Sequence, residues 1–179
     1  VNARGPALEQ METHEASVDF EAFFRENYER IARAIGRIVG DHARAEELAV
    51  EAFWKLWRTP RAQGENAGGW IYRTATRLAL NELRRKRRSS RYELLSGPGR
   101  PSPTPEETHA FAEERAQVRR VLACLEPRQA ELLLLRSSGL SYAELAAAIG
   151  VSPASVGTLI GRAQQAFRQE YLKQFGETK

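Results

Sequence analysis

Cysteine is almost missing: Cys124 is the single one among 179 residues. One thiol excludes a disulfide framework and argues against a cysteine-based metal site, as befits a reducing compartment. Its helical-looking surroundings, Val118 to Leu125, mark it as a small buried hydrophobe. Histidine is equally sparse. His14, His42 and His109 stand in separate contexts, none with metal-ligand spacing. No glycine loop is placed to cradle phosphate, because Gly97-Pro98-Gly99 lies in linker-like sequence. Glu46 and Glu47 are adjacent and diverge on a helix, which suits no acid/base pair. The chain therefore reads as a non-enzyme, with no metal and no cofactor. Long apolar runs are also absent. None approaches the ~20 residues that cross a bilayer, and residues 1–17 lack the apolar centre of a secretory signal. The expectation is a soluble, cytoplasmic protein without membrane insertion, its residues 1–17 a disordered tail.

No segment alternates like a half-buried strand, so the periodic segments point to an all-α fold. Phe20, Phe23, Phe24, Tyr28, Ile31, Ile35, Ile38 and Val39 recur at helical spacing, with Asp19 placed to cap and Gly40 to stop the helix. A second helix aligns Ala45, Leu48, Ala49, Ala52, Phe53, Leu56 and Trp57 on one stripe and ends at Thr59-Pro60. Asn66 is placed to cap a third. Then Ser96-Gly97-Pro98-Gly99-Arg100-Pro101-Ser102-Pro103 breaks all periodicity, and Thr104-Pro105-Glu106-Glu107 restarts a helix. That helix would place Phe111, Val118, Val121, Leu122 and Leu125 on its apolar side, and Pro127 opens another. Two small helical domains are expected, 18–92 and 105–175, joined by a flexible Pro/Gly/Ser linker at 93–104.

Charge is nearly balanced overall, 27 basic against 23 acidic side chains, net +4. The information is in its clustering. From Arg73 to Arg91 there are eight basic side chains and one acid, Glu82. On a helix, Arg73, Arg77, Arg84 and Arg88 share one stripe, while Ile71, Ala75, Leu78 and Ala79 face elsewhere. Such a helix offers one face to a core and another to a polyanion, nucleic acid above all.

The second domain carries a helix-turn-helix pattern. Ser141-Tyr142-Ala143-Glu144 is a capping box. Leu145, Ile149, Val151, Val156 and Leu159 have the right apolar spacing, and Ala146 is small where two helices cross. Gly150 falls where the turn needs positive φ. Ser152-Pro153 opens the second helix. From Pro153 to Gly161 that helix has no charge. Ser152, Ser155 and Thr158 are its short hydrogen-bonding side chains, with Arg128, Arg136 and Arg162 placed around it for phosphates. The domain is expected to position more than it specifies. In the first domain, Glu47, Val50, Glu51 and Trp54 lie to one side of the apolar stripe of the second helix. Acids around a tryptophan suit a protein partner.

In this order and at these spacings, the pieces resemble the bacterial sigma-70 family in its short extracytoplasmic-function (ECF) form, over residues 18 to 172. Phe20 to Val39 resembles the first helix of region 2. Ala45-Glu46-Glu47-Leu48 through Trp57 resembles region 2.2. The resemblance implies that Glu47, Val50, Glu51 and Trp54 meet core RNA polymerase at the β′ clamp coiled coil. Trp70-Ile71-Tyr72-Arg73, with Ala75, Leu78-Ala79-Leu80 and Arg84-Arg85, resembles regions 2.3 and 2.4. It implies that Trp70, Arg73, Arg77, Asn81, Arg84, Arg85, Arg87 and Arg88 act in binding and opening the minus-ten promoter element. Leu125 to Ala163 resembles region 4, implying minus-35 contact through Arg128, Arg136, Ser152, Ser155, Thr158 and Arg162, and docking on the polymerase β flap. An anti-sigma factor would be a further partner. The chain departs from the usual pattern in carrying Arg77 for Asn, Asn81 for Asp and Val50 for Gln, and in lacking basic residues around Gly157 and Leu159. Two rivals stand beside this reading: a stand-alone helix-turn-helix regulator, and a sigma-like interaction protein that does not start transcription.

Overall fold

The computed structural model describes residues 19–93 and 109–176. Among them are seven α-helices, one 3-10 turn and no strand: α1 (Phe20–Val39), α2 (His42–Trp57), the turn Pro60–Ala62, α3 (Ala67–Glu93), α4 (His109–Cys124), α5 (Pro127–Ser137), α6 (Tyr142–Ile149) and α7 (Pro153–Phe175). The expected tail, the linker and the Thr104 to Glu107 restart lie largely or wholly outside the described residues.

Local chemistry sets the helix ends. Asp19 accepts from the amides of Glu21 and Ala22 at 3.1 and 3.2 Å. Gly40 closes α1 in the left-handed region, φ +69°, its N–H reaching Gly36 O at 2.8 Å. Asp41 then caps α2 through the Arg44 amide. Leu56 still ends the buried stripe of α2, but Trp57 is 59 % exposed. The expected stripe is thus one residue too long, because α2 stops at Trp57 and the chain turns away beneath it. Asn66 accepts the Trp70 amide through its backbone carbonyl at 2.9 Å.

Phe53 anchors the first half. It is fully buried and meets the rings of Phe20, Phe23, Phe24 and Tyr28 at centroid distances of 4.7 to 6.4 Å, three of the four edge-on. Near the start of α2 sits a buried acid. Glu82 on α3 accepts from Arg85 at 2.7 Å and from Arg44 on α2 at 3.2 Å. Arg44 also pairs with Glu47. A buried carboxylate holds only when cations and hydrogen bonds replace its water, so this group ties α2 to α3.

The two halves do not sit apart. Leu122, Ala123 and Leu125 at the end of α4, with Ala130 and Leu134 of α5, join one continuous apolar core with α1, α2 and α3. A second cluster holds the later helices together: Leu132, Leu135, Leu140, Leu145, Ala146, Ile149, Val156 and Ile160. Tyr72 of α3 packs against both. Helical period reveals which face is apolar but not which neighbour covers it, and here α3 covers part of the second half. Phe111, expected on the buried side of α4, is 62 % exposed. Cys124 is half-buried at the end of α4, accepting from Gln174 Nε2 at 3.0 Å.

Arg85 first, and Arg44 after it, hold the Glu82 carboxyl below its ordinary 4.5, against burial, which pushes it up. The folded protein therefore binds this proton more weakly than the unfolded chain does. Glu82 contributes stability above pH 4.5 that is lost as pH falls through the lowered folded value. Melting followed from pH 7 to pH 3 should show Tm falling with acid. Glu82→Gln should melt lower at neutral pH, by about 1–3 kcal/mol of stability, and show a shallower acid dependence. An unchanged slope would remove Glu82 from the acid response.

Candidate nucleic-acid and protein interfaces

The arginine stripe of α3 forms as the spacing predicts, but it looks onto the second half of the protein. Arg73 Nε donates to Glu131 Oε1 at 2.7 Å, and Arg77 Nε to the same oxygen at 3.2 Å. Arg84 Nη2 donates to the Leu125 carbonyl at 3.1 Å. The Glu131 side chain is only 7 % exposed, against 30 % for Arg73 and 54 % for Arg77. Of the remaining basic residues, Arg85 serves Glu82, and Lys86 Nζ meets Asp41 at 3.3 Å. Asn81, Arg87 and Arg88 stand exposed. Trp70 is half-buried against the core, and the start of its helix touches α6: a Cβ on Gly69 would lie 3.7 Å from Ala148 Cβ.

In the second half, the expected helix-turn-helix is built as read. The Ser141 hydroxyl accepts the Glu144 amide at 3.3 Å, and Glu144 returns the contact to the Ser141 amide at 2.7 Å. Gly150 turns at φ +71°, and α6 meets α7 at 88°. Ser152 stands at the N-cap of α7, yet its hydroxyl bonds Ser155 Oγ at 2.7 Å rather than a backbone amide. The two serines singled out for DNA are thus paired with each other. Thr158, Arg162 and Arg128 are exposed. Arg136 is exposed as well, while it donates to the Leu140 carbonyl at 3.0 Å and lies 5.5 Å over the Tyr142 ring. A cleft of about 420 Å³ between the halves brings Arg73, Arg77 and Arg128 together with Glu126, Glu131 and Gly150.

The expected protein-binding side of α2 is open. Val50 and Trp54 are 52 % and 50 % exposed, and Trp57 extends the apolar strip at helical spacing. Arg58 stacks on Trp54, its guanidinium 4.6 Å from the ring centroid. Glu51 pairs with Lys55, and Glu47 with Arg44. Lys55 is solvent-facing, a partner that another protein can replace at little cost, whereas Arg44 also holds the buried Glu82.

Sequence reading missed Glu131 and the structural duty of Glu82. Glu131 left a trace, a lone acid between two apolar residues in Ala130-Glu131-Leu132, and Glu82 another, the single acid in the basic run from Arg73 to Arg91. Such an acid is buried only with a cation in reach.

Comparison with known proteins agrees with this architecture. The Sigma-70 region 2 model matches residues 23–89, and the Sigma-70 region 4 model matches 115–166. The ECF RNA polymerase sigma factor SigE of Mycolicibacterium smegmatis is 29 % identical over 168 residues, covering 91 % of this chain and 65 % of that protein. SigL of Mycobacterium tuberculosis, another ECF sigma factor, is 28 % identical over 151 residues, covering 80 % of this chain and 82 % of that one. A probable RNA polymerase sigma factor of Xanthomonas campestris, RfaY, is 31 % identical over 157 residues, but this chain spans 38 % of its length. The fold is shared with the sigma factor RpoE of Bartonella quintana, crystallised in complex with the anti-sigma factor NepR. There the TM-score is 0.51 at 21 % identity, over 87 % of this chain and 97 % of that one. Two helical units, one with a basic helix and one with a helix-turn-helix, define the class, and the chain belongs to the sigma-70 family, with ECF sigma factors as its relatives. A stand-alone helix-turn-helix regulator would leave the region 2 match unexplained.

Gly161 offers a test of the recognition helix. It lies in mid-helix with nothing within 4 Å of an added Cβ. Gly161→Ala should stabilise the protein by about 1 kcal/mol, a rise of roughly 2–4 °C in Tm. A fall in Tm would show that this turn is strained.

Proposed function

We propose that this chain is a promoter-specificity subunit of RNA polymerase, acting in the cytoplasm without catalytic chemistry or a cofactor of its own. The α2 face of Glu47, Val50, Glu51 and Trp54 docks on core polymerase at the β′ clamp coiled coil. The basic part of α3 engages the minus-ten element: Asn81, Arg87 and Arg88 from their exposed positions, and Trp70, Arg73, Arg77, Arg84 and Arg85 once free to do so. The helix-turn-helix meets the minus-35 element through Ser152, Ser155, Thr158, Arg128 and Arg162, with Arg136 bracing the fold beside them and the β flap as a second polymerase contact. An anti-sigma factor, as borne by the Bartonella protein in its crystal, is the natural antagonist.

The observation that carries this reading is the division of labour in the first half. One helix keeps a wide apolar-and-acidic strip uncovered, and another carries the basic run. A DNA-binding module alone has no use for the first. Free arginines on α3 neutralise phosphate and release counterions, whereas the uncharged start of α7 contributes short hydrogen bonds.

Co-purification with core RNA polymerase tests the α2 face. Glu51→Arg/Trp54→Ala should abolish the association while helix content stays unchanged, because neither side chain takes part in the Arg44–Glu82 pair that ties α2 to α3. Retained association would remove α2 from the polymerase interface. On the DNA side, Arg87→Ala/Arg88→Ala should weaken promoter binding by holoenzyme more than Ser155→Ala/Thr158→Ala. It should also flatten the log–log salt dependence by roughly two units, about one per lost phosphate contact. A larger loss from the Ser/Thr pair would assign base readout to α7.

A further inference from the structure

We infer that Glu131 is an autoinhibitory latch: its buried carboxylate takes the place of a DNA phosphate on Arg73 and Arg77 and holds the two halves in a form that cannot engage a promoter. This rests on the sigma reading above for the identity of the masked target. The geometry is that of a phosphate mimic. One carboxylate oxygen accepts from both guanidinium groups, at 2.7 and 3.2 Å, while the Leu125 carbonyl occupies Arg84 further along the same stripe. Three arginines expected at the minus-ten element are thereby spent on α5 and the α4–α5 junction. The closed form also brings Arg128 of the second half into the cleft that holds Arg73 and Arg77. Elements centred at minus-ten and minus-35 lie about 25 base pairs apart, roughly 85 Å at ~3.4 Å per pair. Residues lining one cleft of about 420 Å³ cannot meet both elements. The halves must part before the promoter is engaged, and parting them breaks the Glu131 pairs. Glu131 acquires water on opening, so the latch is reversible and not a buried charge left stranded.

Two variants of the full chain test this, both read by fluorescence anisotropy on a labelled mixed-sequence DNA duplex and by small-angle scattering. In a Cys124→Ser background, Gly69→Cys/Ala148→Cys places two Cβ atoms at about the 3.7 Å separation a disulfide needs. Oxidised, this protein should stay compact and bind DNA at least about tenfold more weakly than after reduction with dithiothreitol. Equal binding in the two states overturns the inference, as does no binding in either. Glu131→Gln should tighten DNA binding by at least about fivefold, because the closed form no longer holds Arg73 and Arg77 on a carboxylate that binding must displace. Wild-type affinity would overturn the latch. If the Gln variant loses helix content, Glu131→Met removes the same charge at similar volume and is read in its place. The sigma reading fails separately. Should the reduced, DNA-binding form yield no run-off transcript with core polymerase on any promoter, the latch stands and the polymerase assignment falls.

Discussion

Burying a carboxylate costs several kcal/mol unless cations and hydrogen bonds replace its lost water. The second half of this protein buries Glu131, and the cations that make this tolerable come from α3 in the first half. In the same arrangement α6 lies beside Gly69, and Leu122, Leu125 and Leu134 join the core that holds Phe53. This pairing of Glu131 sets the protein's main conflict. Arginine, planar and always charged, serves a carboxylate and a phosphate with the same fork of donors. A stripe of arginines can therefore satisfy a fold or a promoter, but each side chain satisfies only one at a time.

The two buried acids among the described residues divide that conflict. Glu82 engages Arg44 and Arg85 within the first half, so its pairs survive any separation of the halves. Glu131 engages arginines across the divide, so its pairs do not. The same charge type, at similar burial, braces one half in one place and spans the two halves in the other. Connectivity decides which, and not strength.

Much of the fold was legible because its signals are local. Asp19, Gly40, the Ser141–Glu144 box and Gly150 act through their own backbone neighbours, and each stands where its chemistry requires. The stripe Arg73, Arg77, Arg84 was also correct as geometry. Its partner was not legible, because helical spacing orders a face without naming what lies opposite. The same gap explains Trp57 and Phe111: apolar residues at plausible core spacing, left exposed where a helix ends or where no described residue covers them. Arg136 shows the reverse case. A basic residue beside a recognition helix suggests phosphate, but a carbonyl and a tyrosine ring already hold it.

One consequence of α7 reaches beyond its DNA-facing end. Its 23 residues run without a break from Pro153 to Phe175, roughly 34 Å at 1.5 Å per residue. The far end is gripped by α4, through Tyr171 on Gln117 and Arg120 over Phe175. The other end is seated through Val156 and Ile160 in the cluster of Leu132, Leu135 and Leu145. The helix is thus a beam supported at both ends, and the Ser152–Thr158 end cannot move without carrying α5 and α6 along with it.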